Sequence, residues 1–486
     1  MNAARLKRRA PSFICDEPPA ARLRRALSRA EMQGGLMDLR LSYGLCFARR
    51  SSPASPTFRR QSIATQACNA LGCPRQSANN GFAHNPLRFH ECHRIRGFCM
   101  SVCRTCCFWF LGIIAMAICG SWSEAKADKF RVFVGTYSQG DSISKGIYTS
   151  LFDSETGKLT EPTLAIELVN PSFLAVHPTQ KFLYAVNELS EGPGKGNGGV
   201  TAMKINPDGT LLKLNDQPSL GGAPCHCNVD ATGRTLLIAN YTGGNVVAYP
   251  IAADGKIGEA SSNIHHEDPT RENAAELQPR AHSINLSSDN RFVYAADLGL
   301  DKIFIYKLDA EHSTLSPSNP PAASVTLGGG PRHFAIHPSG NFAYTNNETS
   351  MVATAFSRNP KSGALTAMQD ITTIPDGFDG PKSTAECLCH PSGKFLYVSN
   401  RGPDSITAYA INQKTGLLTW VENEPTGGKE PRNFFIEPGG KWLLAENQNS
   451  DSIHVFAIEQ ETGALMPTGD SIKVGQPVCI RMVPTK

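Results

Sequence analysis

The sequence lacks any segment with a sustained 3.6-residue apolar period, so it gives no sign of long amphipathic helices. The apolar run at residues 107–120 is shorter than the roughly 20 residues that a comfortable membrane-spanning helix needs. Glycine and proline are abundant instead, with 43 and 33 residues in a chain of 486. Because both residue types favour turns, this composition favours an all-β fold.

Acidic residues are scarce in the first part of the chain and abundant in the rest. Residues 1–127 hold only 6 of the 43 Asp and Glu residues, but 19 of the 47 Lys and Arg residues and 10 of the 15 cysteines. The remaining chain has 28 basic and 37 acidic residues, a net charge of −9. An acidic body gives no electrostatic reason to expect nucleic acid or an anionic membrane surface as a partner.

The basic front end contains two different segments. Residues 1–99 show no sustained period and carry arginine clusters, so we expect no packed core there: they are disordered, or they are translated upstream sequence. Residues 100–127 have the form of a signal peptide that starts at Met100, with one arginine, the apolar run, and the small-x-small sequence Ala125-Lys126-Ala127. We therefore expect export to the periplasm or secretion, and no membrane contact after cleavage; if this signal is not used, the protein would be cytoplasmic. The alternative for residues 1–99 is that they are a genuine leader of unknown use.

Cysteines are few in the body of the chain, and their spacing does not indicate a disulfide framework. Two pairs alternate along a strand, where the two side chains of a pair share a face without disulfide geometry. We expect free, half-buried thiols and neither a cofactor nor a metal; a metal bound with the help of His226 and His390 is the minor alternative, because zinc sites use CxxC-type pairs. The five cysteines are Cys225, Cys227, Cys387, Cys389 and Cys479.

Internal repeats are the main signal for the fold. Each repeat has an alternating strand, a turn, an aromatic-rich strand such as KFLYVSN, a third strand, and a KTG-type turn before a short fourth strand. The repeat starts are 53, 55, 52, 53, 47 and 46 residues apart, which corresponds to one four-stranded blade per period. Residues 128–486 are therefore predicted to form an all-β, seven-bladed β-propeller of antiparallel blades. The repeats start at Pro171, Pro224, Pro279, Pro331, Thr384, Pro431 and Pro477.

The seventh repeat supplies only one strand, PVCIRMVP, whereas residues 130–160 supply strands without an opening partner. We expect the C-terminal strand to complete the N-terminal blade, which removes the exposed edges that an open sheet would have.

Polar residues recur at two points of each repeat that should meet on one face of the disc. In an antiparallel blade, the start of the first strand and the loop after the second strand lie at the same end. The HPSG-type turns, including His177, His337 and His390, lie at the other end and are expected to be structural. Arginines at the first end suit a carboxylate or phosphate, and a histidine or glutamate there could act as acid or base. The residues concerned are His226, Arg280, His282, Arg332, His333, Glu386 and Arg432 at strand starts, and Glu188, Tyr241, Asp297, Glu348, Arg401 and Glu446 among the loop residues.

The motifs GTY, NVDATGR, AHS, GPRHFAIHP, NNE, SNRG and EPRNF occur in this order. Together they resemble the lactonase family of seven-bladed propellers, which includes propeller-type 6-phosphogluconolactonases and fungal carboxymuconate-lactonizing enzymes. The resemblance covers residues 130–484 and implies a metal-free site that acts on a small anionic lactone, such as 6-phosphogluconolactone or a related aldonolactone. By matching motif, its catalytic residues are His282, Arg332, Glu348 and Arg401. We expect His282 or Glu348 to activate water, and the two arginines to bind the substrate anion and the developing oxyanion.

Two departures from the family pattern bear on substrate choice. Arg280 stands in a PRAHS sequence where relatives usually have PHAHS, and Cys225 stands in PCHCNVD where they often have PHANVD. The remaining residues that we expect to bind substrate are His226, Arg280, His333, Arg432 and Glu386. Arg432 and Glu386 could instead form a structural pair between blades, and Cys225 is a conceivable nucleophile.

Two other functions fit the same residues. In the first, the arginines hold the carboxylates of a muconate while an acid or base moves a proton at carbon, as in lactonization. In the second, the propeller is a non-catalytic binding scaffold, because a fold does not establish a function. The expected signal peptide separates this protein from a cytosolic substrate such as 6-phosphogluconolactone, so an exported protein could act on another aldonolactone.

Overall fold

The computed structural model describes residues 129–190, 198–270 and 278–485. The expected signal peptide and the segment before it lie outside these residues. Within them, the strands form seven antiparallel sheets, six of four strands and one of five, which confirms the predicted propeller. The sheets follow the repeats along the sequence, and consecutive strands of a blade are neighbours except in blade 1, where β2 pairs with both β3 and β4.

The first three blades hold strands β1 to β12, with the last strand of the chain added to blade 1. Blade 1 contains β1 (Lys129–Thr136), β2 (Gly146–Asp153), β3 (Lys158–Leu159) and β4 (Thr163–Glu167), and is completed by β29 (Pro477–Pro484). Blade 2 contains β5 (Leu174–Val176), β6 (Phe182–Asn187), β7 (Gly199–Ile205) and β8 (Leu211–Pro218). Blade 3 contains β9 (Pro224–Val229), β10 (Thr235–Asn240), β11 (Asn245–Pro250) and β12 (Ser262–His265).

Blades 4 to 7 have the same order of four strands. Blade 4 contains β13 (Ala281–Leu286), β14 (Phe292–Asp297), β15 (Lys302–Asp309) and β16 (Thr314–Ser324). Blade 5 contains β17 (Pro331–Ile336), β18 (Phe342–Asn347), β19 (Val352–Arg358) and β20 (Leu365–Thr372). Blade 6 contains β21 (Ser383–Cys389), β22 (Phe395–Arg401), β23 (Ser405–Ile411) and β24 (Leu418–Pro425). Blade 7 contains β25 (Pro431–Ile436), β26 (Trp442–Asn447), β27 (Ser452–Ile458) and β28 (Leu465–Lys473), with one 3-10 turn at Gln448–Ser450. No helix in this part of the chain is long and apolar enough to cross a membrane.

The ring closes as the repeats predict. β29 pairs with β1 in antiparallel register, from Phe130 opposite Pro484 to Thr136 opposite Pro477. Because β1 also pairs with β2, the first and last strands of the described residues share one sheet. This pairing leaves neither β1 nor β29 with an unpaired edge toward the other.

The aromatic-rich second strands are buried on both faces because each blade packs between two neighbours. All seven residues of β22 are buried, whereas the fourth strand β24 is largely half-buried or exposed. The tyrosine of this second strand donates a hydrogen bond to a glycine carbonyl in the next blade. Tyr344 does so to Gly416 at 3.0 Å, and Tyr397 does so to Gly463 at 2.8 Å. The KFLY-type strand and the KTG-type turn therefore recur together because they meet across each blade boundary.

The turns between the first two strands also join neighbouring blades, at the end of each blade opposite to the loop that follows the second strand. His177 Nε2 donates to the carbonyl oxygen of Gly233 at 2.9 Å, and His337 does the same to Gly393 at 2.8 Å. His390 repeats this bond to Gly440 at 2.7 Å. In each case Nδ1 accepts a backbone N–H two residues later in its own turn. These histidines are structural turn residues, as the sequence predicts.

Candidate active site

A β-bulge interrupts the first strand of most blades at the same point, near the end where the polar motifs were expected to meet. In blade 5, Pro331 pairs with Asn347 and His333 with Asn346, so Arg332 is left between two paired positions. Register shifts at the equivalent place leave His282 unpaired in blade 4 and Arg432 unpaired in blade 7. Cys225 and Val478 occupy the same position in blades 3 and 1. Bulges are known to re-aim side chains in this way.

The five bulge side chains line a single cavity. Because they come from five different blades, the cavity lies where the blades converge. Its other lining residues come from the positions next to the bulges and from the loops after the second strands. The complete lining is Tyr137, Ser172, Phe173, Glu188, Cys225, His282, Arg332, His333, Arg432, Asn433 and Val478.

Glu348 holds two of the predicted catalytic arginines together. Its Oε2 lies 2.9 Å from Arg332 Nε and 3.1 Å from Arg401 Nη2. Burial raises the pKa of Glu348, but Arg332, Arg401 and Arg432 outweigh it and leave the pKa below its usual value. Glu348 is therefore ionised at neutral pH and is a poor proton acceptor.

Arg332 is almost completely buried but remains charged. Burial and the neighbouring Arg432 and Arg401 lower its pKa to about 10. Besides the ion pair with Glu348, its Nη1 donates to the carbonyl oxygen of Ala385 at 2.5 Å and lies 3.2 Å from His333 Nε2. No described residue bonds to its other terminal nitrogen, Nη2.

Arg432 differs from Arg332 because no carboxylate in the described part of the chain lies within ion-pair distance of it. Its guanidinium carbon lies 5.3 Å from the centre of the Tyr137 ring. Burial acts to lower the pKa of Arg432, but Tyr137, Glu188 and Glu348 outweigh burial and the pKa is raised. Arg432 is thus a half-buried cation whose guanidinium is free to bind an anion.

Glu188 is the carboxylate among the residues that line the cavity. Its Oε2 accepts hydrogen bonds from Tyr137 Oη at 2.9 Å and from Ser172 Oγ at 2.5 Å. Neither Tyr137 nor Ser172 was among the site residues expected from the sequence. The repeats did contain a signal, because Tyr137 follows β1 at the position that Glu188, Glu348 and Arg401 occupy in blades 2, 5 and 6.

His282 lines the cavity as a neutral imidazole. Burial lowers its pKa well below the usual value, and Arg332, His333 and Arg432 lower it further. Its Nδ1 lies 3.7 Å from Cys225 Sγ, and its ring meets that of Tyr241 edge to face at 5.2 Å. No described group bonds to Nε2.

His333 and Glu386 form a buried pair below the arginines. His333 Nδ1 and Glu386 Oε1 are 2.7 Å apart, and Asn433 Nδ2 donates to Glu386 Oε2 at 2.6 Å. The alternative in which Glu386 pairs with Arg432 is not what the structure shows. His226 packs against Phe173 with ring centres 4.0 Å apart and the rings tilted by 31°, and its Nδ1 accepts the Ile284 N–H.

Arg280 and Asp297 do not line the cavity; Arg280 is half-buried and Asp297 is completely buried. The guanidinium carbon of Arg280 is 5.0 Å from the centre of the Tyr241 ring. Asp297 accepts the Arg280 N–H at 2.9 Å and binds His266 Nδ1 at 2.7 Å, so it holds loops in place. Arg280 is near His282 only through the intervening Tyr241 ring.

The five cysteines of the body are free thiols; Cys389 is partly buried and the others are fully buried. Burial raises the pKa of the Cys225 thiol, as does Glu188, so the thiol is protonated at neutral pH. A nucleophilic Cys225 is therefore not favoured. Among the described residues, no group of three or more His, Cys, Asp or Glu side chains is arranged to hold a metal ion.

Comparison with known proteins relates this chain to a single family. The family described as "Lactonase, 7-bladed beta-propeller" matches residues 131–482. The 6-phosphogluconolactonase of Bacillus subtilis (strain 168) is 36% identical over 307 residues, which cover 63% of this chain and 84% of that protein. The 6-phosphogluconolactonase of Formosa agariphila is 32% identical over 309 residues, which cover 63% of this chain and 86% of that protein. Among solved structures, the periplasmic gluconolactonase of Pseudomonas aeruginosa is 32% identical with a TM-score of 0.68, and the match covers 74% of this chain and 100% of that one.

Proposed function

Because this chain belongs to the lactonase family of seven-bladed β-propellers, we propose that it hydrolyses a sugar-acid lactone, namely 6-phosphogluconolactone or a related aldonolactone. The observation that carries this proposal is the composition of the cavity. A neutral imidazole, His282, and a guanidinium without an ion-pair partner, Arg432, line the same small space. This combination suits an anionic substrate that is attacked by water.

The reaction needs a proton acceptor and a site for negative charge. Water adds to the lactone carbonyl carbon, the carbonyl oxygen becomes an oxyanion, and the bond to the ring oxygen then breaks. The ring oxygen leaves as a hydroxyl group after it receives a proton, and the product is a hydroxy acid. His282 Nε2 accepts the proton of the attacking water and returns a proton to the ring oxygen, because it is neutral and carries no other bond to the described residues.

The arginines differ in whether their positive charge is paired with a carboxylate. Glu348 neutralises one of the two positive charges of Arg332 and Arg401, so the three side chains form a rigid group that keeps one net positive charge. The free guanidinium of Arg432 and the unbonded Nη2 of Arg332 remain to bind the oxyanion or the anionic group of the substrate. Glu348 is thus assigned to holding the arginines, and His282 to the proton transfer.

The first test is hydrolysis of 6-phosphogluconolactone and gluconolactone by the purified protein, compared with Arg332→Ala, Glu348→Gln and His282→Gln variants. Turnover above the spontaneous rate that falls by about 10²-fold or more in Arg332→Ala and His282→Gln is the expected result. The matched control is Arg234→Ala, which removes an exposed arginine at the opposite end of blade 3. No turnover of either lactone by the wild-type protein would overturn the proposal and favour a muconate or a non-catalytic function.

We also propose export, which is supported by the apolar run at residues 107–120 and the Ala125-Lys126-Ala127 sequence, and by the name of the periplasmic relative from Pseudomonas aeruginosa. An exported protein would meet aldonolactones outside the cytoplasm. Cell fractionation and N-terminal sequencing after expression of the full chain are the test. A product that starts at Asp128 outside the cytoplasm is expected, and an uncleaved cytoplasmic protein would contradict export.

A further inference from the structure

The pair of His333 and Glu386 is not used by the reaction scheme above, although both side chains are almost completely buried next to it. Glu386 accepts three hydrogen bonds: from His333 Nδ1 at 2.7 Å, from the Cys387 N–H at 2.8 Å, and from Asn433 Nδ2 at 2.6 Å. Burial raises the pKa of Glu386, but His333 and these hydrogen bonds outweigh it, so the carboxyl group is ionised. A carboxylate only accepts hydrogen bonds, so His333 Nδ1 carries the hydrogen and Nε2 carries the lone pair.

That lone pair faces Arg332. The distance from His333 Nε2 to Arg332 Nη1 is 3.2 Å, and Nη1 also donates to the Ala385 carbonyl oxygen at 2.5 Å. Both hydrogens of Nη1 therefore have acceptors, and Nε lies 2.9 Å from Glu348. The guanidinium is fixed on three sides, and Nη2 is the nitrogen that stays available to a ligand in the cavity.

We propose that His333 and Glu386 are positioning residues that act through Arg332. Glu386, from blade 6, fixes the tautomer of His333, from blade 5, and His333 accepts a hydrogen bond that aims Arg332 Nη2 at the oxyanion of the lactone. This inference rests on the proposed lactone hydrolysis. It explains why Asn433, Glu386 and His333 form a buried series of hydrogen bonds that ends at Arg332. The reaction then depends on residues that never touch the substrate, as oriented active-site groups commonly do.

The arrangement has a built-in dependence on pH. If His333 gains a proton, Nε2 becomes a donor, loses its bond to Arg332 and places a second positive charge beside the guanidinium. Burial lowers the pKa of His333, and Glu386 opposes this effect, so the neutral form that can accept from Arg332 is the one present at neutral pH. The positioning is therefore present at neutral pH and is lost as pH falls. The titratable and charged groups that face His333 are Glu386, Arg332, Arg432, His226 and His282.

The test compares two substitutions that separate positioning from proton transfer. His333→Gln keeps an acceptor for Arg332 that does not titrate, whereas His333→Leu removes the acceptor. We expect kcat/KM for gluconolactone to fall by about 10²-fold in His333→Leu, mainly through kcat, and to stay within about 10-fold of wild type in His333→Gln. In wild type, log kcat/KM should fall with a limiting slope of about 2 in acid, because His282 and His333 must both be neutral, and the slope should drop to about 1 in His333→Gln.

Two results would overturn the inference. If His333→Gln is as inactive as His333→Leu, the imidazole itself transfers the proton; if both variants are as active as wild type, Arg332 does not need His333. A readout independent of turnover is the tautomer of His333 in the wild-type protein, measured by ¹⁵N NMR. A hydrogen on Nδ1 is expected, and a hydrogen on Nε2 would contradict the proposed positioning of Arg332. Absence of turnover in wild type would overturn the proposed function instead, and the NMR measurement would still show whether His333 Nε2 can accept a hydrogen bond from Arg332.

Discussion

The two ends of the blades use the same repeat in different ways. At the end with the HPSG-type turns, His177, His337 and His390 make the same bond to a glycine carbonyl of the next blade, at 2.9, 2.8 and 2.7 Å. At the end with the bulges, equivalent positions hold unlike side chains, among them a thiol, an imidazole and two guanidinium groups. The first end joins neighbouring blades with one repeated contact, whereas the second end presents a different side chain from each of five blades to the cavity.

The difference shows how stability and function can be separated within one repeat. The inter-blade contacts at the turn end are made of backbone carbonyls, histidines, tyrosines and glycines whose polar groups are satisfied within the protein. At the bulge end, the Arg432 guanidinium and one nitrogen of Arg332 have no hydrogen-bond or ion-pair partner among the described residues. Changes at the turn end should therefore affect folding, and changes at the bulge end should affect turnover.

The largest expected effect is at the bulge end. Arg432→Ala removes the guanidinium without an ion-pair partner, so kcat/KM for an aldonolactone should fall by about 10²–10³-fold. The melting temperature should change little, because Arg432 bonds to no other described side chain. Steady-state kinetics and thermal unfolding of the same preparation measure both quantities. A large fall in the melting temperature of Arg432→Ala would contradict the proposed difference between the two ends of the blades.

The next largest effect is expected at Gly416, in the turn between the third and fourth strands of blade 6. A Cβ at Gly416 would lie 2.3 Å from the ring of Phe342 in the neighbouring blade, at a φ of +72°. Gly416→Ala should lower the free energy of unfolding by about 2 kcal/mol or more, while kcat/KM per folded molecule stays unchanged.

The matched control for Gly416 is Gly377→Ala. Gly377 has a φ of +82°, but nothing lies within 4 Å of its added Cβ. Gly377→Ala should lower the free energy of unfolding by only roughly 1 kcal/mol, which is the cost of a left-handed backbone for alanine. The difference between the two variants in urea unfolding is then the contribution of the contact with Phe342. Equal costs at the two glycines would show that the inter-blade contact is not tight.

A smaller effect follows from the buried imidazoles. Burial lowers the pKa of His226, His282 and His333 in the folded protein, so the unfolded chain binds more protons below its usual histidine pKa. The free energy of unfolding should therefore decrease as pH falls below about 6.5, by up to about 1.4 kcal/mol per pH unit for each imidazole.

Urea unfolding at several pH values in wild type and in a His226→Gln variant tests this linkage. The variant should show a shallower loss of stability in acid. The same slope in both proteins would mean that His226 accepts a proton in the folded state as readily as in the unfolded chain.

The smallest expected effect is at Cys225. Burial keeps its thiol protonated, and it is not assigned to the reaction. Cys225→Ser should change kcat/KM by less than about threefold, and thiol reagents should react slowly with the native protein. Rapid modification with loss of activity would show that the bulge of blade 3 takes part in turnover.

The sequence predicts the blades and the closure of the ring because both depend on repeated apolar patterns and turn residues. Pairing of β29 with β1 follows from an unpaired strand at each end of the repeats. The convergence of Arg332, Glu348 and Arg401 also follows from the antiparallel order of the strands. These are properties of the backbone path.

The bonds within the site could not be predicted in the same way. A bulge shifts one residue out of register and leaves no pattern of its own in the sequence, so the lining by Val478 was not foreseen. The partner of a charged side chain depends on its rotamer; Glu386 binds His333 and Asn433, although Arg432 was an equally reasonable partner. The sequence alone left open whether His282 or Glu348 activates water, and the two ion pairs of Glu348 now favour His282.

The bulges also bear on how this protein could change over evolutionary time. A bulge side chain does not take part in the cross-strand pairing of its blade, so its replacement leaves the hydrogen-bonded ladder intact. Five of the seven blades thus each contribute one nearly independent position to a shared cavity, and five positions with many residue choices give a combinatorial set of binding surfaces on one scaffold. Selectivity could drift one blade at a time, by single substitutions, while the ring remains closed.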